Sequence, residues 1–356
     1  MEYYWDTIKP EVRALRAYSL SADRAGVKIN QNENPWDAPA RLKAETLRRL
    51  DSRHWSRYPD FVPASLHARL ADFSGWQAAG IIAGNGSNEL IQALLMVTVG
   101  PGKRVLISEP TFALYRQISN VLGGEVISVP LDTELNYDNS SLQDAVNDFR
   151  PDVTIICSPN NPTGCVLTDE DLRALLSKTN GLVAIDEAYH EFAGHSVVPL
   201  LRQHENLIVL RTFSKAMALA ALRVGYLLAA PQLTAEISKA VLPYNLNAVS
   251  QTAAEVAVEL YEDELRPLVQ KIINERERLF GEVSRIEGLV PKRSQANFIL
   301  VKSAIEPKRV FGELLKKDIL IRDVSGYPML LDYFRLSVGT PEENDLLLSA
   351  LRDIFG

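Results

Sequence analysis

Cysteine is scarce in this 356-residue chain, with Cys157 and Cys165 the only two. Two thiols cannot staple a loop-rich fold, which excludes a disulfide scaffold and leaves reduced thiols in a cytoplasmic protein as the expectation. No run of about 18 apolar residues occurs, and Met1-Glu2-Tyr3-Tyr4-Trp5-Asp6 has neither a basic start nor an apolar signal core. Neither a membrane span nor secretion is therefore expected. Positive charge is in deficit: Lys and Arg number 38 against 45 Asp and Glu, a net charge of -7. That balance weighs against general nucleic-acid binding, and an anionic ligand would need local cations. The basic stretch from Arg41 to Arg57 is interleaved with Glu45 and Asp51 and reads as a solvated helix face. Internal repeats and low-complexity segments are absent as well.

The chain does have the apolar content of an ordinary soluble globular protein, 46% hydrophobic and 23% charged. Short β-branched runs at 104–107, 126–129, 153–156, 182–185 and 207–210 are apolar on both faces, which fits strands of a mainly parallel sheet covered by helices. Amphipathic stretches lie between them, such as Thr168 to Ser177, where Thr168 is a helix cap with Asp171 three residues on. This alternation predicts an α/β domain. Beyond about residue 250 the texture changes. A long helical pattern from Thr252 to Ile286, interrupted at Pro267, leads to short strands near 298–301, 319–321 and 334–338. A smaller α+β domain is expected there, so that residues 41–250 form a large domain and residues 1–40 with 251–356 an N-terminal arm and a small domain.

Five constellations could carry chemistry, and most fall at strand ends, where open α/β sheets bind ligands. Gly84-Asn85-Gly86-Ser87-Asn88-Glu89 opens a helical pattern, and its small residues leave backbone N–H groups free for an anion. A dinucleotide fingerprint would need a third glycine where Glu89 stands, so a nicotinamide-dependent oxidoreductase is disfavoured. Ser158-Pro159-Asn160-Asn161-Pro162-Thr163-Gly164 is a loop directly after a strand, able to project the Asn161 amide or to serve only as a rigid turn. Asp186 ends an apolar strand, a costly place for a carboxylate unless a cation meets it. No His or Cys cluster lies close by to complete a metal site, and Glu187 would point to the opposite side.

Ser214-Lys215 with Arg223 sits in the apolar stretch 209–230, and a Lys in such a pocket loses basicity and becomes a nucleophile towards a carbonyl carbon. Arg335 lies in a strand-like run, Tyr333-Phe334-Arg335-Leu336-Ser337, and its fork suits a carboxylate or a phosphate. For either cation taken alone, a snorkelling or salt-bridged surface group is an equal reading. Taken together the five fit one ligand, a phosphate-bearing aldehyde with a protonatable aromatic nitrogen: pyridoxal 5′-phosphate.

The motifs SPNNPTG, IDEAY and TFSKAMALAALRVGY, in that order, strongly resemble fold-type I pyridoxal-phosphate aminotransferases. KINQNENPWDAP, RYPD, GNGSNELI, EPTFALY, ANFILV, ILIRD and YFRLSVGTPEEN narrow the resemblance to the histidinol-phosphate aminotransferase family, from about residue 7 to the end of the chain. The resemblance implies a homodimer with Lys215 bonded to the cofactor aldehyde, Asp186 on the ring nitrogen, and Asn161 with Tyr189 on the ring hydroxyl. It implies Phe112 against the ring face. For the phosphate it implies Gly86, Ser87, Asn88, Ser214 and Arg223, joined by Tyr58 of the other subunit. Arg335, Arg322, Asn32 and Tyr18 would meet the substrate.

Two departures from the family pattern stand out. Ala218 and Ala221 replace glycines in the family's Phe-Gly-Leu-Ala-Gly, and Ala17-Tyr18-Ser19-Leu20-Ser21 replaces Pro-Tyr-x-Pro-Gly around Tyr18. The implied reaction moves the amino group of L-histidinol phosphate to 2-oxoglutarate in histidine biosynthesis. An aromatic-amino-acid aminotransferase is the nearest alternative. Threonine-phosphate decarboxylase, which shares the phosphate-and-amine substrate pattern, stands further off, as does a non-catalytic pyridoxal-phosphate-binding regulator, for which no residues are left over to make a DNA-binding module.

Overall fold

A computed structural model describes residues 4–17 and 23–356. A seven-stranded sheet dominates it, in the order Ile81–Gly84, Gly225–Ala229, Leu207–Thr212, Leu182–Asp186, Val153–Cys157, Arg104–Glu109 and Glu125–Pro130. Gly225–Ala229 runs antiparallel to both its neighbours, and every other pairing is parallel. The five runs expected from their β-branched texture all form strands of this sheet. The apolar stretch 209–230 resolves into two strands, Leu207–Thr212 and Gly225–Ala229, joined by an irregular loop.

Successive residues of the central strands feed two different cores, because side chains alternate across a pleated sheet. Val183 and Ile185 enter one cluster with Val209 and Leu228, whereas Ala184 enters the opposite one with Ile208, Leu210 and Leu227. Burial on both faces is what forced the near-continuous apolar runs. The covering helices start as their sequences dictate. Thr168 accepts from the Asp171 N–H and caps Asp169–Lys178, with three acids in the first turn and Lys178 in the last, each suited to the helix dipole.

The pattern from Thr252 to Ile286 is two helices, Ala248–Glu259 and Arg266–Val283, with a wider turn at Tyr261–Leu265 between them. Pro267 falls in the first turn of the second helix, where a missing N–H costs nothing. A four-stranded antiparallel sheet follows, in the order Arg322–Asp323, Tyr333–Ser337, Phe298–Ser303 and Leu289–Pro291. Val27 and Ile29 share its core with Ile299, Val301, Phe334 and Leu336. Val27–Lys28 also pairs in parallel with Ile319–Leu320, so the N-terminal stretch is built into the C-terminal part of the fold. No helix of the described residues is long and apolar enough to cross a membrane.

Candidate active site

The parallel strands deliver their last residues to one edge of the large sheet, and a cavity of about 540 Å³ opens there. Cys157 and Asp186 sit side by side in register at that edge. Asp186, Asn161, Tyr189, Phe112, Ser87, Asn88, Ser214, Lys215 and Arg223 line the cavity together with Asn32, Arg322 and Arg335. Gly86 adjoins it with a left-handed φ of 82°, and a Cβ there would lie 2.6 Å from Arg223 Nη2. Tyr58 is not in this cavity; it is 80% exposed and stacks on Tyr244 at 4.5 Å. Tyr18 lies outside the described residues.

Lys215 sits in the loop that follows the strand Leu207–Thr212. Ser214 N–H donates to Thr212 Oγ, the Ala218 N–H to the Lys215 carbonyl and the Leu219 N–H to the Phe213 carbonyl. Those bonds close the loop and aim Lys215 Nζ at the Gln31 carbonyl, 2.9 Å away. The side chain keeps partial access to the cavity, yet desolvation dominates at the amine. Burial lowers its pKa to about 7, and repulsion from Arg335 and Arg223 adds to it against the attraction of Glu33. Near neutral pH a large fraction of Lys215 is thus the free amine.

Asp186 is a buried carboxylate on the cavity floor. Its Oδ2 accepts from Tyr115 Oη at 2.6 Å and its Oδ1 from the Ala188 N–H at 3.1 Å. Burial pushes its pKa up to about 6 in spite of those two bonds. Glu187 faces the other way, as strand alternation requires. It is bonded to the buried Arg211 guanidinium at 2.9 Å and to the Val197 N–H at 2.6 Å. The two neighbouring acids therefore have separate work, one in the cavity and one in the core.

The far wall comes from the smaller sheet. Arg335 Nη1 donates to Asn161 Oδ1 at 2.5 Å and Nη2 to the Asn30 carbonyl at 2.7 Å, and the guanidinium lies over the Phe298 ring at 5.1 Å. Tyr189 meets the same ring edge-on and accepts from Asn32 Nδ2 at 3.1 Å. Arg322 and Arg335 are direct cross-strand partners in an antiparallel pair. Like charges placed directly opposite repel, so an anion between them relieves the pair.

One end of the cavity is formed by Ser87 at the start of the helix Ser87–Thr98, by Ser214 and by Arg223, whose Nη1 reaches Ser214 Oγ at 3.3 Å. Arg223 is held at a φ of 54° and Ala218 at 55°. Ala218 is the first of the two alanines noted above, and a left-handed backbone costs a Cβ-bearing residue about 1–2 kcal/mol. Ala221 lies in the short helical turn Ala220–Leu222 instead. Ala218→Gly is therefore expected to stabilise the protein by about 0.5–1 kcal/mol, and Ala221→Gly to destabilise it by a similar amount. Denaturant midpoints of the two variants check this, and shifts of the same sign in both would contradict it.

Sequence reasoning missed Tyr115, the partner of Asp186, although it lies within the EPTFALY stretch one helical turn after Phe112. It also missed the main-chain carbonyls of Asn30 and Gln31, which no residue type announces. Asn160, beside Asn161, is wholly buried and bonded to Pro110, Thr111 and Thr163, so it holds the loop together and does not face the cavity.

A weakly basic buried amine, a desolvated carboxylate and an arginine beside serine hydroxyls in one cavity suit an aminotransferase. The family model Aminotransferase class I and II matches residues 24–351, so fold and site define a protein of that class. The histidinol-phosphate aminotransferase of Chlorobium phaeobacteroides is 39% identical over 350 residues, which is 98% of this chain and 96% of that protein. That of Chlorobium phaeovibrioides is 36% identical over 351 residues, 98% of this chain and 97% of that one. The chain belongs to the histidinol-phosphate aminotransferase family. A solved structure of histidinol-phosphate aminotransferase from Sinorhizobium meliloti, in complex with pyridoxal-5′-phosphate, has the same fold. It matches with a TM-score of 0.89 at 24% identity, over 98% of this chain and 97% of that one.

Proposed function

We propose that this chain moves the amino group of L-histidinol phosphate to 2-oxoglutarate, giving imidazole acetol phosphate and glutamate in histidine biosynthesis. It is a pyridoxal-phosphate-dependent transaminase by family. The observation that carries the substrate assignment is the register pairing of Arg322 with Arg335, two cations in the cavity that also holds Lys215. One phosphate dianion suits two guanidinium forks better than a single carboxylate does. Arg335 and Arg322 would serve the phosphate of the donor and the carboxylates of the acceptor in turn.

The residues present fit the cofactor. Gly86 leaves open the space beside Arg223 that a side chain would fill, and Asp186 offers a desolvated carboxylate that a protonated ring nitrogen would pair. Gly86, Ser87, Asn88, Ser214 and Arg223 would hold the phosphate, Asn161 and Tyr189 the ring hydroxyl, and Phe112 the ring face. When bound, the cofactor supplies an electron sink that acidifies the Cα–H bond of the amine. Lys215 Nζ, with its pKa near 7, would take that proton from Cα and release it at a second carbon, acting as base and then as acid without a large energetic penalty in either direction. Asn32 orients the Tyr189 phenol, and Arg335 orients Asn161.

We further propose a cytoplasmic homodimer in which the partner subunit's Tyr58 completes the phosphate site. Support comes from exposed apolar side chains gathered there: Tyr58 stacks on Tyr244, Phe61 meets Tyr244 edge-on, and Trp55 shares a surface pocket with Tyr58, a grouping that a water-facing surface does not favour. The division into residues 41–250, and 1–40 with 251–356, is proposed on the separate core shared by Val27, Ile29 and the C-terminal strands.

Substrate choice is tested with arginine variants. Arg322→Ala is expected to weaken kcat/KM for histidinol phosphate roughly 10–100-fold, the loss of charged hydrogen bonds, and to leave phenylalanine nearly unaffected. Arg335→Ala is expected to damage the glutamate half-reaction as well. If Arg322→Ala is silent and wild type prefers phenylalanine, the protein is an aromatic-amino-acid aminotransferase. Losses equal across all donors would mean that the arginines only support the fold.

A further inference from the structure

Tyr115 is wholly buried at the start of the helix Leu114–Leu122, and its hydroxyl points at the floor of the cavity. The phenol donates to Asp186 Oδ2 at 2.6 Å, while the Ala188 N–H holds Oδ1 at 3.1 Å. One donor on each oxygen fixes the plane of the carboxylate. The ring itself is fixed from the other side, edge-on to Phe112 at 5.5 Å and 81°, and Phe112 is part of the cavity wall. We propose that Tyr115 is a positioning residue that orients the Asp186 carboxylate and keeps it ionised for the cofactor's ring nitrogen. This rests on the reading of Asp186 given under Proposed function.

A carboxylate with so little solvent has two outcomes, protonation or stabilisation by donors. Burial drives Asp186 towards the first, and the Tyr115 bond is the largest influence opposing it. The Tyr115 phenol is itself held well above its usual pKa, first by burial and then by the charge of Asp186, so it remains the donor of the pair. A neutral Asp186 could not pair with a protonated ring nitrogen. Loss of a single buried hydroxyl would thus reach the ring nitrogen without touching the cofactor.

The test compares equilibrium binding of pyridoxal 5′-phosphate and of 1-deazapyridoxal 5′-phosphate, which has CH in place of the ring nitrogen, to the apoprotein. Wild type is expected to prefer the nitrogen-bearing cofactor. Tyr115→Phe is expected to lose about 10-fold or more in affinity for it, in line with a hydrogen bond to a charged group, and to lose nothing for the deaza analogue. In an Asp186→Asn background the same substitution is expected to have no further effect. Equal losses for both cofactors, or no loss for either, would overturn the proposal and make Tyr115 a packing residue. Absence of preference in wild type would instead remove the underlying assignment of Asp186. Should the Phe variant not fold, Tyr115→His, which retains a donor, and Tyr115→Leu, which does not, carry the same comparison. His is then expected to keep the preference and Leu to lose it, and equal behaviour would overturn the proposal.

Discussion

Lys215→Ala is expected to leave a folded protein that turns over at most a trace of histidinol phosphate. Removing the proton carrier alone costs on the order of 10²–10⁴-fold, and loss of the covalent attachment adds to that. Single-turnover kinetics measure the effect. Borohydride reduction of wild type followed by peptide mapping should place the pyridoxyl group on Lys215, and finding it on another lysine would sink the assignment. The pH dependence has a definite sign. Burial holds the amine near 7, so its nucleophilic neutral form increases about tenfold per unit of pH below that value and levels off above it. The rate of cofactor attachment to the apoprotein should rise with pH and flatten above about 7. A rise continuing unchanged to pH 10 would mean an ordinary solvated lysine.

The second large effect is expected at Asp186. Asp186→Asn preserves the shape of the floor and removes its charge, so cofactor should still be held through its phosphate while both half-reactions slow by about 10²–10³-fold. Stopped-flow measurement of the two half-reactions separates this from weaker substrate binding. Near wild-type rates would reduce Asp186 to a buried acid that merely accepts from Tyr115 and the Ala188 N–H.

The inner parallel strands of the large sheet were legible because residues buried on both faces are mostly apolar: Thr154 is the one polar residue of 153–157, and 207–210 is apolar throughout. Asp186 and Lys215 were legible for the converse reason: charge in an apolar run demands a partner. The strand Gly225–Ala229 was hidden because it lies in one long, mostly apolar stretch with its neighbour, and hydropathy does not reveal a loop of small residues around Ala218 and Ala220. Tyr115 was hidden because a tyrosine in a helical pattern is compatible with packing by its ring alone. The bond between Arg335 and Asn161 joins residues remote in sequence and could emerge only from the fold.

That last bond has a consequence for how the two ligands perceive each other. Arg335 grips the Asn30 carbonyl with one nitrogen and the Asn161 side chain with another. With the substrate anion assigned to Arg335 and the cofactor hydroxyl to Asn161, both ligands draw on the same hydrogen bond. Their affinities are then linked through a closed thermodynamic cycle, and the factor by which 2-oxoglutarate alters retention of the cofactor must equal the factor by which the cofactor alters capture of 2-oxoglutarate.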